Sequence, residues 1–139
     1  TAESCTGGLV GGRITAEAGS SDYYLGGVVS YSNAAKETML GVSPDSLLQH
    51  GAVSEVVAKE MAEGVKKRLQ ADLGLSITGI AGPDGGTDEK PVGLVYIGFA
   101  HSQGVDVKKC QFVGSRESIR NMSVETALNI VRLYLISKK

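Results

Sequence analysis

Helices alternating with strands predict a layered α/β domain built on a mixed sheet, and three observations carry that prediction. Val53, Val57, Met61, Val65 and Leu69 recur four residues apart, which reads as one long amphipathic helix. Val92 to Ala100 is an almost unbroken apolar run, as expected of a strand buried on both faces. The connection His101 to Gly104 is short enough to join two strands only as an antiparallel hairpin. With 139 residues, of which 42% are hydrophobic and 21% charged, the chain suits one domain over residues 1–139 with a sizeable core.

Taken in order, Thr1 stands inside a loop that feeds a helix, so the pattern predicts a preceding strand or helix that this sequence lacks. Gly7 to Ile14 reads as a short glycine-rich helix capped by Thr6 or Ser4. Val28 to Tyr31 follows as a short strand and Ala34 to Leu40 as a helix capped by Asn33, with Lys36 in its first turn. Ser43 and Pro44 start a helix that runs to His50 and closes at Gly51. The long helix spans about Ser54 to Leu73, where Gly74 stops it, and Glu63 precedes Lys67 on its exposed face. Strands are expected at Leu75 to Thr78, Val92 to Ala100 and Val105 to Val113, adjacent to one another. The alternation of the last slips at Lys108 and Lys109, as at a bulge or an edge. Arg116 to about Ser137 forms the final helix, apolar at Val124, Leu128, Val131 and Leu135. There is no internal repeat.

Composition removes several functions. Fourteen basic and fifteen acidic residues leave a net charge of −1 with no run of Lys or Arg, which argues against a nucleic-acid partner. No apolar run is long enough for a membrane span and no signal peptide opens the chain, so a cytoplasmic protein is expected. Two cysteines far apart in sequence, Cys5 and Cys110, suit reduced thiols better than a disulfide framework. His50 and His101, the only histidines, form no ligand-spaced cluster with them, so no metal site is expected. The same scarcity disfavours a Ser-His-Asp arrangement, and a hydrolase built from this sequence would need another base.

Four clusters offer chemistry. In TAESCTGG, residues 1–8, small hydroxyls precede two glycines at a helix start, a place where backbone N–H groups can meet an anion or a carbonyl. Gly7 and Gly12 have the end spacing of a phosphate loop, but Arg13 and Ile14 replace its Lys and Ser or Thr, which excludes that motif; a plain helix cap fits as well. The stretch from Gly19 to Lys36 holds Ser20, Ser21, Tyr31, Asn33 and Lys36, enough for a serine nucleophile with a desolvated lysine as its base. The residues alone leave the alternative open that the serines make a turn, Lys36 is solvated and Tyr31 is core. In TGIAGPDGG, residues 78–86, Thr78 and Gly79 end a strand before a long glycine loop that lacks the dinucleotide fingerprint. Asp84, Asp88 and Glu89 read there as turn and surface residues rather than metal ligands. Arg116, beside a helix start, can pair with phosphate or carboxylate or lie free on the surface.

Taken together, TAESCTGG, GSS, SYSN followed by Lys36, HGAVSE at residues 50–55, TGIAGPDGG and EKPVG at residues 89–93 resemble the CinA C-terminal domain family. Its members include bacterial nicotinamide mononucleotide (NMN) amidohydrolases, and most carry an N-terminal segment ahead of the position of Thr1. The resemblance implies a three-layer α/β/α fold with a mixed sheet. It also implies hydrolysis of the NMN carboxamide to nicotinate mononucleotide and ammonia, without metal or other cofactor, in pyridine nucleotide recycling. Position by position it implies Ser21 as nucleophile, with Ser20 as the alternative, Lys36 as general base and Tyr31 as a hydroxyl that orients or relays the proton. Ser4, Thr6, Gly7, Ser20, Asn33, Thr78 and Gly79 would form the substrate pocket, and Arg116 would anchor the substrate phosphate. Cys5 is a rival nucleophile, since a thiol beside a helix start can be activated. Two other functions are compatible with the same residues: a non-catalytic pyridine-nucleotide-binding module, and an amidase for another small carboxamide. The short strands and the edge character of Val105 to Val113 also lead to the expectation of a homo-oligomer.

Overall fold

The computed structural model describes residues 1–139. In chain order the elements are β1 (Ala2–Glu3), α1 (Leu9–Thr15), a 3-10 turn (Ser20–Asp22), β2 (Val28–Val29), α2 (Asn33–Leu40), α3 (Pro44–His50), α4 (Glu55–Leu69), β3 (Gly74–Gly79), β4 (Leu94–His101), β5 (Gly104–Gln111) and α5 (Arg116–Ser137). The sheet order is β2-β1-β3-β4-β5. β1 runs parallel to both of its neighbours, whereas β4 and β5 are antiparallel additions, so the sheet is mixed as expected.

Two separate cores show the three layers. One face of the sheet buries Leu75, Ile77, Val95, Ile97 and Phe99 against Val10 of α1 and Ile119, Val124 and Ala127 of α5. On the other, Ala2 and Val28 meet Leu40, Leu47, Val57, Met61 and Val65 of α2, α3 and α4. The alternation along β3 and β4 explains the asymmetry. Large residues face α5, while Gly74, Ser76 and Gly98 face α4, and a Cβ at Gly74 or Gly98 would overlap the carbonyls of Ala62 or Ala58. With no side chain between them, α4 rests almost on the strands, and Ser76 Oγ donates to Ala58 O at 2.6 Å.

Several boundaries differ from the sequence expectations. The chain does not run from Thr1 through a loop into a helix: Ala2 and Glu3 form an interior strand, second in the sheet, whose pairing with β2 and β3 two residues of sequence could not reveal. The N-cap of α1 is Gly8, with no side-chain cap from Thr6 or Ser4. Glu3 takes that role from the strand, its carboxylate accepting from Val10 N at 2.8 Å and Gly11 N at 3.1 Å. Its negative charge also complements the helix N-terminus. Glu3→Ala is therefore expected to lower the unfolding free energy by about 1–3 kcal/mol, read as a drop in Tm, because it leaves two N–H donors without an acceptor. The cap of α2 is Ser32 rather than Asn33; its Oγ accepts from Ala35 N. α4 ends at Leu69, with Gln70 in the left-handed region (φ 52), four residues before the predicted stop. The pairing of β5 with β4 is regular from Leu94↔Gln111 to His101↔Gly104, so the slip at Lys108 and Lys109 marks an edge strand and no bulge.

Candidate active site

β1 and β3 are parallel neighbours. The chain leaves β1 toward α1 on one face of the sheet and returns to β3 from α4 on the other. Their C-terminal ends are thus a topological switch point, where open α/β sheets leave a crevice. A cleft of about 290 Å³ lies there, lined by Ser4 and Cys5 after β1, Tyr31, Asn33 and Lys36 around the start of α2, Ala52 and Val53, Thr78 to Gly82, and Arg116. A concavity of about 350 Å³ at the other end of the sheet is larger, but its lining is the flank of α4 and the β4–β5 hairpin, where the one largely buried ionisable side chain, His101, is paired with Asp106. Size alone does not choose between them; chemistry does.

Lys36 is the centre of the cleft. It is 1% exposed, and Nζ donates to Ser4 Oγ at 3.0 Å, to Ser30 O at 2.8 Å and to Tyr31 O at 3.4 Å. No carboxylate pairs with it, since the chain's ion pairs are Arg13–Glu125 and His101–Asp106. Burial without a counter-charge disfavours the ammonium, so desolvation holds the Lys36 pKa below its ordinary 10.5, with the Cys5 side chain acting weakly in the opposite sense. A neutral amine has two N–H bonds and one lone pair. The two carbonyls absorb the N–H bonds, which leaves the lone pair for the Ser4 hydroxyl.

Ser4 is positioned by the sheet. It follows β1 directly, its N–H bonds Ile77 O at 3.0 Å, and it is 8% exposed. The N–H of Cys5, the next residue, bonds no backbone carbonyl and lies against its own thiol. The Cys5 thiol is buried, which pushes its pKa up to about 11. At neutral pH it is a thiol, and a weak rival to the serine.

The expected pair of Ser21 with Lys36 does not form. Ser20 and Ser21 belong to the 3-10 turn after Gly19, Ser21 is exposed, and neither hydroxyl reaches Lys36 or lines the cleft. The turn reading of GSS is the one the backbone adopts, with Ser20 O accepting from Tyr23 N and Tyr24 N. Thr6 and Gly7 also fall outside the cleft lining; Thr6 is buried with its hydroxyl unpartnered. Tyr31 meets Lys36 through its carbonyl, while its exposed ring turns the hydroxyl to Arg116 Nη2 at 3.3 Å. Arg116 Nη1 in turn donates to Gly82 O at 2.7 Å, so Tyr31, Arg116 and the Gly82 loop close one side of the mouth. Asn33, Thr78 and Gly79 are in the lining as expected.

The opposite wall went unassigned in the sequence. Ala52 and Val53 line it, and three successive carbonyls before and within it each take a different side chain. Lys90 Nζ donates to His50 O, Ser54 Oγ to Gly51 O at 2.9 Å, and Thr78 Oγ1 to Ala52 O at 2.8 Å. These bonds give the segments HGAVSE and EKPVG a common purpose, since one holds the wall that the other braces. Neither histidine lines the cleft, and no three His, Cys, Asp or Glu side chains converge in the molecule.

A buried serine–lysine pair at the switch point of a three-layer α/β sheet defines the class to which the site belongs. The model of the CinA C-terminal domain matches residues 1–135, and the chain belongs to that family. It is 57% identical over 134 residues to a CinA-like protein of Syntrophomonas wolfei, a match covering 96% of this chain and 32% of that protein. A CinA-like protein of Crocosphaera subtropica is likewise 57% identical, over 97% of this chain and 33% of its own length. The chain thus spans about a third of the length of the curated relatives it matches. Among solved structures, the competence/damage inducible protein CihA from Agrobacterium tumefaciens superposes with a TM-score of 0.93 at 44% identity, over 95% of this chain and 81% of that one. No helix of the chain is long and apolar enough to cross a membrane.

Proposed function

We propose that the chain is an amidohydrolase that converts NMN to nicotinate mononucleotide and ammonia, with Ser4 as nucleophile and Lys36 as general base. The observation that carries this reading is the 3.0 Å contact of a buried, carboxylate-free lysine with a serine hydroxyl in the cleft. Neutral Lys36 takes the Ser4 proton as Oγ attacks the carboxamide carbon, and backbone N–H groups of the loop after Ser4 stabilise the developing oxyanion. Protonated Lys36 then passes its proton to the departing nitrogen, which leaves as ammonia. The resulting ester on Ser4 is cleaved by water, with Lys36 again as the base. Arg116 supports the choice of a nucleotide. It stands at the mouth with a guanidinium that no carboxylate neutralises, a fitting partner for the substrate phosphate.

Ammonia release from NMN, measured in excess chelator across a pH series, tests the reading. Activity requires the neutral amine, so kcat/KM is expected to rise with pH and level off above an apparent pKa that lies below 10.5. Ser21→Ala is expected to keep the wild-type rate. Loss of activity in that variant, or a rate that falls as pH rises through the same range, would remove the Ser4–Lys36 assignment.

A further inference from the structure

The loop that carries Ser4 is held from outside by one side chain, and that side chain lies outside the cleft. Arg120, on the first turns of α5, donates through Nε to Cys5 O at 3.0 Å and through Nη2 to Thr6 O at 3.2 Å, more than a hundred residues away in sequence. Its guanidinium has no carboxylate partner, so its donors and its charge are directed at these two carbonyls. The peptide group is planar and trans, with C=O and N–H on opposite sides. Pulling the Thr6 carbonyl toward α5 therefore turns the Gly7 N–H the other way, where it donates to Ser4 O at 3.1 Å and closes the turn on the serine itself. Gly7 (φ +60) and Gly8 (φ +107) supply the left-handed backbone that the turn needs.

We propose that Arg120 is the positioning residue for Ser4. By clamping two successive carbonyls of the 4–8 loop to α5, it fixes the rotation of Ser4 toward Lys36. Its positive potential also reaches this loop, as the lowering it exerts on the Cys5 thiol indicates. The role rests on the reading of Ser4 as nucleophile, though not on NMN as the substrate. Lysine is a poor substitute, because one ammonium on a flexible stem does not reproduce the flat fork that spans both oxygens.

The test uses Arg120→Met and Arg120→Lys, with folding verified by circular dichroism and Tm. Two readouts are taken: steady-state kinetics on NMN, and the rate at which a fluorophosphonate probe labels Ser4, located by peptide mass spectrometry. The expected result is a kcat about 10–100-fold lower with KM within about two-fold, no recovery in Arg120→Lys, and an unchanged apparent pKa in the pH profile, since Lys36 keeps its own carbonyl partners. Labelling of Ser4 should slow by a similar factor. Folded variants that turn over and label at the wild-type rate would overturn the proposal, as would a defect confined to KM. If wild type labels at Ser4 but leaves NMN intact, the substrate reading fails while the labelling ratio still decides the role of Arg120. Should Arg120→Met not fold, Arg120→Lys alone carries the decision.

Discussion

Ser4→Ala and Lys36→Met are each expected to lower NMN turnover by a factor on the order of 10³ or more, and the double variant should be no slower than the worse single one. Groups that act as a unit in one proton transfer lose their function together, so their effects do not add. The two variants should nevertheless differ in stability. Methionine matches the length of the lysine stem without its amine, and it fills a site where a cation is 1% exposed and has no carboxylate partner. Below the folded-state pKa of Lys36 the native protein bears the full cost of the buried ammonium. Between that pKa and 10.5 the unfolded chain holds a proton that the native lysine has released, so wild-type stability climbs with pH through this window. Lys36→Met should therefore be more heat-resistant than wild type at neutral pH, by a margin that narrows toward pH 10.5. A loss of Tm at pH 7 together with full activity would contradict both halves of the argument. The stability forgone by the natural residue is what a base without a counter-ion costs.

The second large effect is structural. Gly64 lies in α4 where α2 crosses it, and a Cβ there would overlap the carbonyl of Leu40, the last residue of α2. In an exposed helix, glycine to alanine gains up to about 1 kcal/mol. Here the sign reverses, because the two helices must separate and their shared core of Leu40, Val57 and Met61 opens; a loss of about 3 kcal/mol or more is expected from such overpacking. Lys36 is one turn before Leu40, so the displacement moves the base away from Ser4 and activity should fall further than stability alone explains. Gly12→Ala provides the control. That position is helical with nothing within 4 Å of an added Cβ, and it should leave Tm unchanged or raise it. Chemical denaturation of the two variants side by side checks the contrast.

What could be read from the sequence followed from how much chain each signal occupies. α5 and α4 repeat their apolar positions over several turns, and the hairpin of β4 and β5 is announced by the short connection from His101 to Gly104; α5 is found to the residue, the two strands within two residues at each end, and α4 at its start but four residues short of its expected end. β1 has two residues and derives its identity from its neighbours on either side, a property of the pairing that no local pattern encodes. Gln70 leaves α4 through the left-handed region without the glycine that would announce it. The site divides in the same way. Lys36, Tyr31, Asn33, Thr78 and Arg116 line one cleft, as the family resemblance implied, but the hydroxyl beside Lys36 is that of Ser4, which the sequence reading placed among the pocket residues. Ser21 and Ser4 are both small hydroxyls in glycine-containing segments. Only the pairing of β1 between β2 and β3 shows that Ser4 stands at a parallel strand end, fifteen residues or more before the 3-10 turn that holds Ser21. Glu3 and Arg120 carry no motif at all, because what they hold is backbone.

The placement of Lys36, Ser4 and Arg120 in three different layers has a consequence for the order in which competence is acquired. The base comes from one helical layer, the serine from the sheet, and the clamp from the opposite helical layer, contributed by the last element of this chain. A nascent chain that has emerged through β3 already holds Ser4 and Lys36, yet the loop around the serine has nothing to grip until α5 folds down. Under the proposed mechanism the serine loop goes unclamped until α5 has packed, and turnover would report that this layer is in place.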